Sequence, residues 1–543
     1  MKKKSLALFI AMTMLLALGA CSGNDTEPEI EPEETTVETT AVTTTAKPVT
    51  TAPITTKPPV TTEPEPKEVI VTVSDENELR QTVGSAGNKL TVITLTSDIE
   101  LISNFIIPDK AKIKLTSENE APFKLIATRD MDVITLEGSA SLVMEHIVIT
   151  RVEGTTGIGV AVDEKSKFTM DSGAITGNSA NSGGGGVSNA GTFIMNDGSI
   201  SDNTAISGVD GGGGGVQNLG KFTMNGGAIN NNSIDGFGIA SGGGGVFNNG
   251  DFTMRNGTIS GNESSHMGGG IDTKGTFTMH DGTISGNIAA GSGGINGSGT
   301  FTMNGGVISD NTATEKIIST NSMIVCSVSF SGNFTMNGGT ISGNSGKEVH
   351  IYKNFTMRNG TIDGQVYIKG GDDGKSTLHG GSIKSVHIYS SGHFTMNGGS
   401  ITGNSEAGVY LGSSYNNIRT IGGNFVLNGG IISNNSGGGV VSLDDRCNFT
   451  MNGGEISNNS TSGNGGGVYT VGTFNMKGGI IHNNSAGENG GGVYHSGGTF
   501  NFDGGWIYDN TASNGDDIQI AQTGVFNNNV LDIKKGAIGS PRP

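Results

Sequence analysis

Hydrophobic residues recur along most of this chain in one fixed local order. In the stretch FTMNGGTISGNS, Phe334 to Ser345, Phe and Met stand two residues apart, a Gly pair follows, and an Ile begins a second segment that ends near Asn344. Residues two apart on an extended chain point to the same side, so we predict that Phe and Met face inward from one strand. Most copies add a third segment, a glycine run ending in Val such as Gly183 to Val187. Each copy therefore predicts three short strands separated by glycine bends.

This unit recurs fourteen times. The copies begin at Phe168, Phe193, Phe222, Phe252, Phe277, Phe301, Phe334, Phe355, Ser376, Phe394, Phe425, Phe449, Phe474 and Phe500. Their spacing runs from 18 to 33 residues and clusters near 25, which is typical of solenoid proteins. The pattern predicts an all-β fold, a parallel β-helix of about 14 regular coils, and the rule for parallel crossovers predicts a right-handed one.

An Asn stands three residues after the Ile in twelve of the fourteen copies, as at Asn203, Asn262 and Asn484. An Asn at a bend tolerates left-handed backbone and can bond the backbone or the Asn of the next coil. We therefore expect an Asn ladder with a structural role.

The N-terminal region differs in composition from the repeats. Residues 1–20 carry three lysines and then an apolar run, the layout of a secretory signal that is too short to span a membrane. The end of this run, Leu-Gly-Ala-Cys at 18–21, resembles the lipobox of bacterial lipoproteins, which implies that Cys21 is lipidated and becomes the mature N-terminus. We expect an extracytoplasmic protein whose lipid anchors it to the bacterial cell membrane or surface.

The remaining boundaries follow from composition. Residues 21–67 consist mainly of Thr, Pro and Glu without an aromatic residue, so this segment is predicted to be a disordered tether behind the lipidated Cys. Residues 68–160 are predicted to form an N-terminal cap, including a helix that Ser74 or Asp75 caps, followed by degenerate coils. The repeats occupy 161–520, and 521–543 are predicted to be a C-terminal tail.

Charge and cysteine content exclude several classes of function. Without the three signal lysines the chain has 29 basic and 50 acidic residues, a net charge of −21, so we expect no nucleic-acid partner. Cys326, in an insertion before Phe334, and Cys447 lie about five coils apart. At ~4.8 Å per coil they are too far apart for a disulfide, and we expect them to be unpaired.

The sequence offers no clear catalytic constellation. The acid pairs Asp372–Asp373, Asp444–Asp445 and Asp516–Asp517 are interpreted as solvated turn residues, with weak calcium binding as the alternative. The nine histidines show neither HExxH nor zinc-ligand spacing. We predict no catalytic residues, no metal site and no cofactor.

The third segment carries the most informative outward positions. The residue after each Val is predicted to point outward. In the C-terminal half this column contains the rings of His350, Tyr367, His387, Tyr410, Tyr469 and Tyr494. Val441 interrupts it between Tyr410 and Tyr469. Earlier coils have Ser188, Gln217, Phe247, Asp272 and Asn296 there. We expect the six rings to form an exposed stripe that docks an extended glycan or a partner surface. The alternative is that stacked rings only stabilise the ladder.

The combination of GGGVY at 465–469, ISNNS at 456–460 and Phe-containing strands resembles the repeats of polymorphic outer membrane proteins and related bacterial adhesin-like β-helix proteins. The resemblance covers roughly residues 168–520. It implies a cell-surface protein that acts in adhesion or surface interaction without catalysis, with a glycan or a cell-surface protein as partner. The alternative is a polysaccharide-active enzyme or glycan-binding module of the pectate-lyase type.

Overall fold

The structure, a computed structural model, describes residues 68–207, 211–236, 242–314, 326–370, 374–412, 422–521, 523–528, 533–534 and 537–539. It is an all-β parallel β-helix with roughly 17 turns over residues 69–527, which confirms the predicted fold class. The predicted signal peptide, Cys21 and the tether lie outside the described residues.

The first strand of each coil belongs to one parallel sheet of 19 described strands, called sheet A. Its strands are Val69–Val73, Leu90–Leu95, Lys112–Ser117, Ser141–Met144, Lys167–Met170, Thr192–Met195, Lys221–Met224, Asp251–Met254, Thr276–Met279, Thr300–Met303, Asn333–Met336, Asn354–Met357, Ser376–Leu378, His393–Met396, Asn424–Leu427, Asn448–Met451, Thr473–Met476, Gly498–Phe502 and Gly524–Asn528.

The second and third strands of the coils belong to a sheet of 34 described strands, called sheet B. The second strands are Ile99–Leu101, Lys124–Ala127, Val148–Arg151, Ala174–Thr176, Ser199–Ser201, Ala228–Asn230, Thr258–Ser260, Thr283–Ser285, Val307–Ser309, Thr340–Ser342, Ser400–Thr402, Ile431–Ser433, Glu455–Ser457, Ile480–His482 and Trp506–Tyr508. The third strands are Phe105–Ile107, Ile134–Leu136, Val160–Val162, Val187–Asn189, Val216–Asn218, Val246–Asn248, Ile271–Thr273, Ser292–Gly297, Cys326–Phe330, Lys347–Ile351, Val409–Leu411, Val440–Ser442, Val468–Thr470, Val493–His495 and Ile518–Ile520. In the coils that begin at Phe355 and Ser376, the second and third strands merge into one long strand each, Thr361–Lys369 and Ser382–Tyr389. Ile533–Lys534 and Ala537–Gly539 complete the sheet.

Short strands at the bends form three small ladders. They contain Ser179–Ala180, Thr204–Ser207, Ser233–Gly236, Glu263–Ser264, Ile288–Ala289 and Thr312–Ala313 in the first, Gly183–Gly184, Gly212–Gly213 and Gly242–Gly243 in the second, and Ser460–Thr461 and Ser485–Ala486 in the third.

The core is a set of columns that run through the coils in register. All fourteen positions marked in the sequence are aligned partners in sheet A, and the column continues to Leu142 on one side and Phe526 on the other. Centroids of successive Phe rings lie 4.5 to 5.7 Å apart, except at Ser376, where the column has no ring. The Met of each strand is also buried, as at Met224 and Met254. Stacking at these distances adds to the free energy of apolar burial.

The Gly pair of the repeat has a steric cause. The last Gly of this turn adopts a positive φ, for example 100° at Gly282, which follows Asp281 in place of the first Gly. A Cβ added there would lie 2.7 Å from the Met254 methyl carbon and 2.7 Å from the Gly257 carbonyl oxygen of the preceding coil. Any side chain would therefore clash with the neighbouring coil, in addition to the cost of left-handed backbone.

The predicted Asn ladder is present. Asn232 shows its geometry: its Oδ1 accepts hydrogen bonds from the backbone N–H and Nδ2 of Asn203, at 3.0 and 2.9 Å. Its Nδ2 donates to Oδ1 of Asn262 at 3.0 Å and to the carbonyl oxygen of Ile200 at 2.9 Å. Along the uninterrupted runs of the ladder, the buried carboxamides therefore bond one another and the backbone, as burial requires.

The ladder is interrupted in the short coils, where Gln365 and Val386 replace the Asn. There the buried Glu348 accepts hydrogen bonds from the backbone N–H of Asn344 at 3.2 Å and from its Nδ2 at 2.7 Å. Loss of hydration raises the pKa of Glu348 above its ordinary value. A Cβ added at Gly364 would overlap the Glu348 side chain, so this Gly makes room for the substitute partner.

The N-terminal region contains one helix and short strands of the two large sheets. The helix Glu76–Ser85 begins after Asp75, whose side chain accepts the N–H of Glu78 at 2.9 Å. Leu79 and Val83 are buried against the first coil. No helix among the described residues is long and apolar enough to cross a membrane.

Candidate functional site

The outward column of the third strands has the register that the sequence predicts. His350 pairs with Tyr367, which pairs with His387, and His387 pairs with Tyr410. The column continues through Val441, Tyr469 and Tyr494 to Gln519. The six predicted side chains therefore do lie in one line across consecutive coils.

Half of this column is not exposed. His350 is 0%, Tyr367 8% and His387 7% exposed, so the prediction of a continuous exposed stripe is wrong for these three side chains. The cause is a second outward aromatic position, two residues further along the same strands. Tyr352 lies 4.2 Å from His350 between ring centroids, and the hydroxyl of the buried Tyr389 bonds Nε2 of His350.

The buried rings form a packed ladder. Tyr367 and His387 stack with centroids 4.5 Å apart, and the Tyr367 hydroxyl donates to Oε1 of Gln365 at 2.7 Å. Lys369 lies over the ring of Tyr352 at 5.4 Å from its centroid, a favourable cation–π position. These contacts are those expected if the stacked rings stabilise the ladder, which was the alternative prediction from the sequence.

The remaining three tyrosines are half-buried and reach solvent. Tyr410 stacks below His387 at 4.8 Å, and its hydroxyl accepts the N–H of Ala407 at 3.3 Å. Tyr469 and Tyr494 lie 5.7 Å apart between centroids, with an angle of 35° between their planes. We call Tyr410, Tyr469 and Tyr494, together with Val441, the tyrosine column. It is the part of the predicted site that a partner can reach.

The same column contains a buried carboxylate in the N-terminal half. Asp272 is 1% exposed and lies between Phe247 and Asn296 of the adjacent coils. Its Oδ1 accepts a hydrogen bond from Nδ2 of Asn296 at 2.7 Å, whereas Oδ2 is buried without a partner among the described residues. Burial raises the pKa of Asp272 to about 6, although the Asn296 bond and the charge of Lys274 act in the opposite direction. The sequence placed Asp272 on this column but gave no sign of its burial.

The acid pairs occupy turns in which other residues bind them. Arg446 donates from Nε and Nη2 to Asp444 at 2.9 Å each, and this contact holds the pKa of Asp444 down at about 2. Oδ1 of Asp517 accepts a hydrogen bond at 3.0 Å from Nδ2 of Asn510, the last Asn of the ladder. The Asp372–Asp373 pair lies outside the described residues. Within the part of the chain that the structure describes, no three His, Cys, Asp or Glu side chains are grouped to hold a metal ion.

A cluster near the C-terminal end was not predicted from the sequence, where outward positions were compared across coils in the third strands but not in the second. His482 stacks on Tyr508 with centroids 5.4 Å apart, and its Nε2 donates to Oε1 of Glu455 at 3.0 Å. Glu455 also accepts the Ser457 hydroxyl at 2.6 Å; this bond and the His482 contact lower its pKa, although loss of hydration acts in the opposite direction. The signal was present in the sequence, since Trp506 and Tyr508 stand at positions where most copies have Ser or Thr.

No protein-family model matches this chain, and comparisons with curated proteins and with solved structures gave no match. Function is therefore argued from the surface of the β-helix alone, because a fold of this kind supports many functions.

Proposed function

We propose that this protein is a lipoprotein that presents its β-helix on the bacterial cell surface and binds an extended glycan or a surface protein, without catalysis. The tyrosine column is the observation that carries the proposal. Its rings are accessible, in register and supported from below by the stacked ladder of Tyr367 and His387. Half-buried tyrosines combine a large apolar face with a polar tip, which is the composition of many interaction surfaces.

The surface around the column supports binding rather than chemistry. General acid–base chemistry on a polysaccharide requires two carboxyl groups facing one another across a substrate. Asp272 is the only acidic residue among the described positions of the outward column of the third strands. It is buried, and it lies four coils before Tyr367. The tyrosine column therefore offers contact area and hydroxyl groups, and the acid pair that follows Val441 in sequence, Asp444–Asp445, is bound by Arg446.

The membrane attachment is part of the proposal and is supported by the sequence, through the basic flank, the apolar run and the lipobox-like segment that ends in Cys21. A lipid anchor followed by a Thr- and Pro-rich segment is suited to holding a binding surface outside the membrane.

The test uses the double variant Tyr469→Ser/Tyr494→Ser in the full-length protein. Binding to cells and to a glycan array is measured, together with the melting temperature. We expect at least a tenfold loss of binding with a small change in melting temperature. The matched control is Gln519→Ser, which changes the next position of the same column. Normal binding by the double variant would refute the proposal.

A further inference from the structure

The second strands of the coils carry an outward column that changes character near its C-terminal end. From Ala174 to Ser400 its positions hold Ala, Ser, Thr or Val, and then Ile431, Glu455, Ile480 and Trp506 follow in register. The neighbouring outward column ends in His482 and Tyr508. Trp506 is the one Trp in the sequence. We call Glu455, Ile480, His482, Trp506 and Tyr508 the C-terminal patch.

The fold does not require these side chains. Ile507, between Trp506 and Tyr508, supplies the inward residue of that strand and is fully buried. Ten earlier coils build the same strand with small or polar outward residues at the Trp506 position. Ala537–Gly539 pairs with Trp506–Tyr508 along the strand edge, and the side chains of Trp506 and Tyr508 remain partly exposed among the described residues.

Polar atoms of the patch are held in fixed orientations beside the rings. Nε2 of His482 donates to Glu455, and its Nδ1 then accepts a hydrogen bond from Nδ2 of Asn483 at 2.8 Å, which sets one imidazole tautomer. Both bonds to Glu455, from Ser457 and His482, use Oε1. Its Oε2 receives no hydrogen bond from the described residues, and the side chain is 37% exposed. Glu455 therefore presents an oriented acceptor to solvent.

The ring of Trp506 and the carboxylate of Glu455 lie two coils apart, a separation of about 10 Å. This arrangement suits a sugar chain, which alternates apolar faces with hydroxyl groups. A pyranose has an apolar C–H face that packs on an aromatic ring, and hydroxyl groups that donate to a carboxylate. The carboxylate at the patch and the net charge of −18 oppose an anionic ligand. We propose that the C-terminal patch is a binding site for a neutral glycan, in which one sugar ring stacks on Trp506 and a neighbouring sugar donates a hydroxyl to Glu455. This site is distinct from the tyrosine column and does not depend on it.

The experiment measures binding of chitohexaose and cellohexaose, two neutral hexasaccharides, to the full-length protein by calorimetry, with polygalacturonate as the anionic comparison. We expect at least one hexasaccharide to bind, and Trp506→Ala to weaken its affinity at least tenfold. Glu455→Gln keeps the side-chain shape and is expected to weaken it about threefold to tenfold. Val307→Ala is the matched control because Val307 occupies the same column and is 37% exposed, and it should bind normally.

Several results would overturn the inference. One is that the wild-type protein binds neither hexasaccharide. Another is that it prefers polygalacturonate. A third is that both Trp506→Ala and Glu455→Gln bind with normal affinity. A lower melting temperature of Trp506→Ala with unchanged binding by Glu455→Gln would mean that the patch only stabilises the last coils. The Tyr469→Ser/Tyr494→Ser variant should bind the hexasaccharide normally, although it loses binding to cells and to the array glycans that Trp506→Ala still binds, so failure of this inference and failure of the proposed function are distinguishable.

Discussion

Replacing Asp272 by Asn should change how the stability of the central coils depends on pH. Asp272 is 1% exposed, and its pKa rises from an ordinary 3.8 to about 6. Burial penalises the ionised form, so the folded state holds the proton more tightly than the unfolded state. The contribution of Asp272 to stability is therefore fully present below pH 3.8, and it is lost as pH rises from 3.8 to about 6.

The magnitude follows from the difference between the two pKa values. A shift of about two units corresponds to roughly 3 kcal/mol at pH values above both, at 1.36 kcal/mol per unit. Part of this penalty is already present at pH 4.5, so the loss between pH 4.5 and 7.5 is about 2 kcal/mol, or about 30-fold in an opening equilibrium. An Asn at 272 does not titrate. It can still accept the hydrogen bond from Nδ2 of Asn296 through its carbonyl oxygen.

The assay is hydrogen exchange of the strand Ile271–Thr273, compared between Asp272→Asn and wild type at equal pH so that intrinsic exchange rates cancel. A local measurement is needed because long repeat arrays do not unfold in one step. We expect protection in the variant, relative to wild type, to increase about 30-fold between pH 4.5 and 7.5. Asp251→Asn, at an exposed carboxylate of the same coil, is the control and should show no such change. A pH-independent ratio for Asp272→Asn would refute the reasoning.

Three further predictions concern the anchor, the thiols and the ladder. Cys21→Ala should move the protein from the membrane fraction to the soluble fraction, and retention in a salt-washed pellet would place the anchor elsewhere. Cys326 and Cys447 are buried, so labelling of unreduced protein should find them unreactive when native and reactive after denaturation, whereas an intramolecular crosslink detected by mass spectrometry would show that they pair. Asn232→Ala leaves buried ladder partners unsatisfied and should destabilise its coils by about 1–3 kcal/mol in hydrogen exchange, while Asn196→Ala, in an exposed position, should cost less than about 0.5 kcal/mol.

Much of the interior could be predicted because each inward position is repeated. The Phe marks fixed the register of sheet A, and the Asn three residues after each Ile fixed a ladder whose bonds the structure shows. The helix cap at Asp75 was predictable for a similar reason, since capping depends on residues adjacent in sequence. Local patterns are sufficient where the neighbouring coil repeats the same pattern.

Burial on the outward face could not be predicted in the same way. The alternation of side chains along a strand shows to which face of the sheet a residue belongs, but it does not show what packs over that face. His350 was assigned to the correct column, and its burial depends on Tyr352 and on Tyr389, which belongs to a strand two coils away. Asp272 is buried for a comparable reason, between the side chains of two other coils.

The division between inward and outward positions bears on where function lies in this molecule. Inward positions are determined by stacking, because a change there leaves a cavity or an unsatisfied amide against two neighbouring coils. Outward positions are free of that constraint, and most coils fill them with Ser, Thr, Asn or Gly. Most accessible aromatic residues at outward positions, namely Tyr410, Tyr469, Tyr494, Trp506 and Tyr508, follow Phe394, whereas Tyr352 precedes it. Stacking alone would distribute such residues along the whole solenoid, so their concentration in its last coils favours selection for binding at that end.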